Sequence, residues 1–435
     1  MSETNSLLIT NARLLDDRKV DLLIVDGVIR EISEPGSIAT TQSISLDVHG
    51  NLLAPGLVDL HTHLREPGRE DAETIASASA AAVSGGFTAI SAMANTSPVA
   101  DSAGVVELVK SRAQKVGLCD VFPIGAVTKG LEGLELSEMG AMANSLAQVR
   151  VFSDDGKCVS NSRVMRRALE YVKAFDGVIA QHAQDPELTV GALMNEGELS
   201  GKLGIVGWPR VAEEAIIARD VLLAEHVDAR LHVCHLSTAG SVEIVRQAKA
   251  RGVKVTAEVT PHHLMLTEDL LSEYNPIYKV NPPLRTSKDV EAVRVGLAEG
   301  VIDIVATDHA PHPIEDKECE LSEAAFGMIG LESALGITAA AMIDTGLLTW
   351  AQLIDRLSIK PAHIGGYESH GNPIEVGTVA NLVVIDTEYR GTFSQDSIYS
   401  KSSNTPFLEV GVLGRVEQTI FNGKLVFNRA AGGVI

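Results

Sequence analysis

Eight short apolar runs, each followed by a helix-like stretch, partition the middle of this chain. They are GLVDLHTHL (56–64), FTAISAMAN (87–95), DVFPIGAVT (120–128), QVRVFSDDG (148–156), GVIAQHAQ (177–184), ARLHVCHLS (229–237), VKVTAEVTPHH (253–263) and IDIVATDHAPH (302–312). Between them lie Ala- and Leu-rich segments such as AETIASASAAAVSGG (72–86), EEAIIARDVLLAEH (213–226) and SVEIVRQAKARG (241–252). Strands alternating with helices imply parallel pairing, and eight such units predict an α/β fold closed as a (β/α)8 TIM barrel. A parallel strand covered on both faces is expected to be apolar throughout. These runs instead finish as HTHLR, MANT, FSDDG, QHAQ, CHLS, TPHH and TDHAPH. In a barrel those ends share one face, the face on which barrel active sites are built.

The two ends of the chain differ from the middle. LLITNARLL, DLLIVDGVIREI and SISLDVHGNLLAP alternate apolar and polar residues around turn signals at Asp26-Gly27 and His49-Gly50-Asn51. ANLVVIDTEY (380–389) and RVEQTIFNGKLVF (415–427) look alike, the second with an Asn422-Gly423 hairpin signal. The expectation is one small β domain assembled from residues 1–55 plus 365–435, around a barrel of residues 56–364.

Composition narrows the partners. Lys plus Arg is 36 and Asp plus Glu is 57, a formal charge of 36 − 57 = −21. So acidic a surface does not suit nucleic acid or an anionic membrane, and no membrane span is found in the sequence. An acidic protein that binds an anion must build a local positive site. Cys119, Cys158, Cys234 and Cys319 are far apart with no C-x-x-C pair, which fits reduced thiols in a cytoplasmic protein, and MSETNSLLITNARLLDD is no secretory signal.

His61 and His63 stand two apart on the first run, so on a strand they point the same way about 7 Å apart. Two imidazoles on one side suit a chelated cation; a pair of polar residues satisfied by backbone groups is the plainer alternative. His182 ends the fifth run and His235 the sixth, and four histidines on one rim favour the metal. Asp308 ends the eighth run, where a carboxylate serves as metal ligand, proton shuttle or helix N-cap. Asp154 and Asp155 end the fourth run ahead of a Gly. They face opposite sides of an extended chain, so at most one points inward, and spacing alone does not choose.

Taken together, HTHLREPG (61–68), Asn95-Thr96, Asp154-Asp155-Gly156, His182, CHLST (234–238), TPHH (260–263), NPPLR (281–285), DHAPH (308–312) and Phe326-Gly327 to Gly330-Leu331-Glu332 resemble the dihydroorotases of the long, multifunctional-type bacterial class, in the amidohydrolase superfamily. The resemblance runs in order along nearly the whole chain. It implies one or two zinc ions, with His61, His63 and Asp308 holding the first and His182 and His235 the second. Many relatives bridge the ions with a carboxylated lysine on the fourth strand. The run QVRVFSDDG has none; in dihydroorotases carrying the same Asp-Asp-Gly the second aspartate takes its place, so the resemblance maps the bridge to Asp155, with Lys157 past the turn a weak candidate. By the same resemblance Arg65, Asn95 and His312 bind the substrate carboxylate, and Asn281 with backbone groups near Ala325 and Gly327 binds the ring amide. Where the family usually reads Pro-Met-Pro-Asn-Thr, this chain has Ala92-Met93-Ala94-Asn95-Thr96. His262 and His263 are expected to support the rim.

The implied activity is the reversible cyclisation of N-carbamoyl-L-aspartate to L-dihydroorotate in de novo pyrimidine biosynthesis, with Asp308 as base and then acid. A homodimer and an association with aspartate transcarbamoylase are implied as partners. Two competing readings are a sibling cyclic amidase (dihydropyrimidinase, hydantoinase or allantoinase), lacking the carboxylate site, and a non-catalytic dihydroorotase-like partner of the transcarbamoylase, which typically loses metal ligands. The long segment 313–330 (PIEDKECELSEAAFGMIG) is expected to act as a lid.

Overall fold

The computed structural model describes residues 6–39 and 43–435. The apolar runs form the eight strands of a TIM barrel: Leu57–Thr62, Phe87–Ala92, Asp120–Pro123, Val151–Phe152, Val178–Gln181, Leu231–Val233, Val255–Val259 and Ile304–Val305. The first three pair in parallel, as do the last five. Parallel bridges from Gly125 to Phe152 and from Thr62 to His309 join the two arcs into a closed ring. The first two strands are buried at every position, which is why their sequences do not alternate.

Helices Ile75–Ser84, Ala103–Val116, Ser162–Val172, Val211–Val227, Ala239–Ala250, Ser287–Ala298 and Ala334–Met342 surround the ring. Several start at a side-chain cap written in the sequence. Thr74 accepts from the Ser77 N–H, Asn161 from Arg163 and Val164, Thr238 from Ser241 and Thr286 from Asp289. Each cap satisfies donors that the first helical turn leaves unpaired.

Both ends of the chain enter one nine-stranded sheet. The seam is antiparallel: Leu52–Pro55 pairs with Leu382–Thr392, Pro55 opposite Leu382. Alternation along these strands sorts side chains to two cores. Leu52, Val383 and Ile385 join the large core shared with the barrel helices, whereas Leu53, Leu382 and Val384 pack with Leu22, Ile24 and Ile420 in a core of the sheet's own. Two hairpin tips from opposite ends of the chain meet at its edge. Asp26-Gly27 and Asn422-Gly423 all have positive φ, as a type I′ turn requires. A Cβ at Gly423 would stand 2.5 Å from the Gly27 Cα, so this close approach needs glycine.

The terminal part of the chain also reaches the barrel mouth. The Lys401 N–H donates to Glu73 at 3.1 Å and the Ser402 hydroxyl to the Ala72 carbonyl at 2.7 Å. The Asn404 amide then donates to the carbonyls of Ala310 (3.0 Å) and Gly327 (3.2 Å), while its oxygen accepts from the His312 N–H (3.1 Å). These contacts strap the loops after the first and eighth strands in place.

Candidate metal centre and substrate pocket

Asp155 stands among four imidazole nitrogens. Its Oδ2 lies 3.4 Å from His61 Nε2 and 3.3 Å from His63 Nε2. Its Oδ1 lies 3.0 Å from His182 Nδ1 and 3.1 Å from His235 Nε2. Asp308 Oδ1 completes the first pair, 3.1 Å from His63 Nε2 and 3.5 Å from His61 Nε2. These six side chains come from the ends of five strands, and none is more than 5% exposed. The structure thus brings together every metal ligand expected from sequence. It also separates the two aspartates: Asp154 turns away and accepts from the Val127 and Thr128 N–H groups at 2.8 and 2.9 Å. Lys157 is exposed beyond the turn and lines no part of the pocket.

Burial alone pushes both site carboxyls up, but the imidazoles outweigh it. His61, His182 and His235 hold Asp155 well below the usual carboxylate range, and His61 with His63 holds Asp308 at about 2. Both are therefore anions at neutral pH, as ligands must be.

The donor set fits divalent cations. His61 Nε2 is buried without a hydrogen-bond partner, and His182 Nδ1 and His235 Nε2 face each other at 2.9 Å across one carboxylate oxygen. Lone pairs so converged are costly to bury unless a cation or proton lies between them. His61, His63 and Asp155 form one compact ligand group, and Asp155, His182 and His235 a second. Neutral imidazole and carboxylate are the ligands zinc takes.

The remaining nitrogen of each of three histidines faces an oxygen. His61 Nδ1 lies 2.6 Å from Glu258, His63 Nδ1 3.0 Å from the Asn95 Oδ1, and His182 Nε2 2.8 Å from the Gln184 Oε1. A proton held there leaves the lone pair on the nitrogen facing Asp155, so these oxygens orient the ligands. Glu258 also meets His232 Nε2 at 3.0 Å. Glu258 and Gln184 were not singled out by sequence reasoning. The signal for Glu258 is a carboxylate inside a parallel strand that is otherwise apolar but for Thr256 and nearly all buried.

A pocket of about 240 Å³ opens beside this centre, lined by His63, Arg65, Asn95, Asp155, His182, Asn281, Asp308, His312, Phe326 and Gly327. Burial lowers the Arg65 guanidinium to about 10, which leaves it charged at neutral pH. Its Nε donates to the Pro311 carbonyl at 3.0 Å and its Nη2 lies 3.3 Å from His312 Nε2. Burial, then Arg65 and Lys317, depress His312 to about 3, so this imidazole is neutral. Asn281 donates its Nδ2 to Gln184 at 3.1 Å, and its buried Oδ1 has no partner.

Of the two backbone segments expected beside the ring, Gly327 lines the pocket together with Phe326, and Ala325, one residue before Phe326, does not. Lys317 is 4% exposed and has no carboxylate partner among the described residues. Its Nζ donates to the carbonyls of Lys279 (3.2 Å), Ala325 (2.9 Å) and Gly327 (3.0 Å). Lys279 in turn donates to Leu321 O at 2.6 Å. The segment 313–330 is therefore tied from inside by two lysines and from outside by Asn404. His263 supports the same rim, its Nε2 3.1 Å from the Pro282 carbonyl.

A family model described as dihydro-orotase-like matches residues 50–241. A dihydroorotase of Streptomyces coelicolor is 59% identical over 424 residues, covering 98% of each chain. One of Mycobacterium tuberculosis is 50% identical over 421 residues, covering 97% of this chain and 98% of its own. Among solved structures, an L-hydantoinase (dihydropyrimidinase) from Arthrobacter aurescens superimposes with a TM-score of 0.86 at 25% identity, covering 99% of this chain and 97% of its own. With relatives this similar along nearly its full length, the chain belongs to the dihydroorotase family, enzymes of the amidohydrolase TIM-barrel fold.

Proposed function

We propose that this enzyme interconverts N-carbamoyl-L-aspartate and L-dihydroorotate with zinc as its cofactor. The observation that carries the reading is the juxtaposition of Asp155, flanked by four imidazole nitrogens, with the Arg65 guanidinium in one pocket. His61, His63 and Asp308 would hold one ion and His182 and His235 a second, with the Asp155 carboxylate lying between the two groups. A bound divalent ion supplies a Lewis acid that polarises the ring carbonyl and acidifies water.

The side chains do the rest. Arg65 and His312 orient the substrate carboxylate, with Asn95 offering its amide hydrogens beside them. Asn281 faces the ring amide. Asp308 borders the pocket as a carboxylate and takes the proton of the attacking water in ring opening. It then returns that proton to the departing nitrogen, and the order reverses in ring closure. Holding the substrate in a near-attack pose is worth several kcal/mol by itself.

The solved neighbours include hydantoinases, so a sibling cyclic amidase is the competing enzyme. A half-buried, charged Arg65 lining the pocket favours a ring that bears a carboxylate. The complete ligand set argues against a purely structural role. The same reading includes a small β domain (1–55 plus 365–435) on a 56–364 barrel and a cytoplasmic homodimer that associates with aspartate transcarbamoylase. The exposed Leu188, Val190, Val206 and Val211 offer apolar surface for self-association. The described residues contain no helix long and apolar enough to cross a membrane.

The test is turnover of dihydroorotate against dihydrouracil, with zinc counted per chain. Dihydroorotate is expected to be the better substrate of a protein holding one to two ions. Equal turnover of dihydrouracil sinks the carboxylate assignment.

A further inference from the structure

Gln184 sits between the two halves of the site, and its hydrogen bonds run in one direction. The Thr189 hydroxyl donates its single proton to the Asp185 carbonyl at 2.9 Å. It can then only accept from Gln184, whose Nε2 lies 2.8 Å away. The amide nitrogen is thereby turned toward Thr189 and the amide oxygen toward the site. That oxygen meets two groups, His182 Nε2 at 2.8 Å and Asn281 Nδ2 at 3.1 Å.

Each contact fixes an otherwise free choice. With its proton on Nε2, His182 presents the lone pair of Nδ1 to Asp155 and the second ion position. With its nitrogen on Gln184, Asn281 presents Oδ1, which is buried and has no partner among the described residues. An orphaned buried acceptor costs stability unless a ligand N–H satisfies it. The geometry points to Gln184 as a positioning residue whose one carbonyl oxygen sets both the metal-binding tautomer of His182 and the amide orientation that lets Asn281 accept an N–H from the substrate ring. The substrate half of this inference rests on the cyclic-amide reading above. The metal half does not.

The experiment compares wild type, Gln184→Leu, which removes the acceptor, and Gln184→Glu, which keeps an oxygen in the same place. In metal-free protein, histidine 15N shifts report which nitrogen of His182 carries the proton. Zinc affinity is read by chelator competition, and KM and kcat are read with dihydroorotate on the zinc-loaded enzyme. Wild type and Gln184→Glu are expected to hold the Nε2–H tautomer. Gln184→Leu is expected to show a mixture, to bind the weaker zinc about 10- to 100-fold less tightly, and to raise KM about tenfold. An unchanged tautomer and zinc affinity in Gln184→Leu overturn the inference whatever the substrate proves to be. Weakened zinc with an unchanged KM overturns the shared-acceptor link to Asn281. Should Gln184→Leu fold poorly by circular dichroism, Gln184→Glu decides alone: a Nδ1–H tautomer in it refutes the acceptor role.

Discussion

The two walls of the barrel mouth are built differently. The metal wall is carried by strand ends, so the sheet fixes its geometry, and three of its four histidines are oriented by a second oxygen. The recognition wall hangs on loops. Arg65, His312, Phe326 and Gly327 are held by backbone carbonyls, buried lysines and a strap from the far end of the chain. On the proposed function, the chemistry is thus placed on strand ends and the choice of substrate on loops, the parts of a barrel that vary most freely.

The sharpest way to break this division is to remove the metal-wall carboxylate that also lines the substrate pocket. Asp308→Ala is expected to cut turnover by about 10²- to 10⁴-fold, the range of a positioned acid–base. The circular dichroism spectrum should stay unchanged. Retention of more than a tenth of the activity would remove Asp308 from the proton path. Asp155→Ala, confined to the metal wall, is expected to lower zinc per chain and to cost about 100-fold or more in turnover. Elemental analysis showing full zinc would disprove the bridging role.

On the recognition wall the effects are smaller and selective. Arg65→Ala removes a charge-assisted contact worth about 1.5–3 kcal/mol, so kcat/KM for dihydroorotate should fall about 10- to 150-fold. Zinc content and the slow turnover of dihydrouracil should not change. A matching loss on dihydrouracil would show that Arg65 acts on the metal wall after all.

The same contrast decides what was legible. Strand ends announce themselves, because a histidine or aspartate closing an apolar run breaks a strong pattern; the barrel and the candidate histidines and Asp308 followed from that, and the resemblance supplied their grouping. The choice between Asp154 and Asp155 did not follow from the pattern, since adjacent residues carry equal sequence signals. It is made by the Val127 and Thr128 amides that capture Asp154. Lys317 and Asn404 stayed hidden for another reason. PIEDKECELSE has the composition of a solvated loop, and nothing local says that its lysine turns inward to three carbonyls. Asn404 acts on His312 from 92 residues away.

Lys317 gives the smallest effect and the finest test of how the loop wall is held. Burial, and then the charge of Lys279, lower its ammonium to about 7, against about 10.4 in an unfolded chain. Between those values the unfolded state binds more protons than the folded one, so stability rises with pH. The penalty of burying the charge is full below pH 7 and is relieved as pH climbs toward 10. Relative to Lys317→Met, the wild type should gain up to about 1.4 kcal/mol per pH unit across this window, read by urea unfolding of matched zinc-loaded samples. Deprotonation also leaves two N–H groups for three carbonyls, so the lip at Ala325–Gly327 loses a tie as the protein gains stability. The KM of the wild type should therefore rise modestly above pH 7, while that of Lys317→Met stays flat. Parallel stability curves for the two proteins would mean that the lysine remains charged throughout, held by its carbonyls more firmly than burial opposes it.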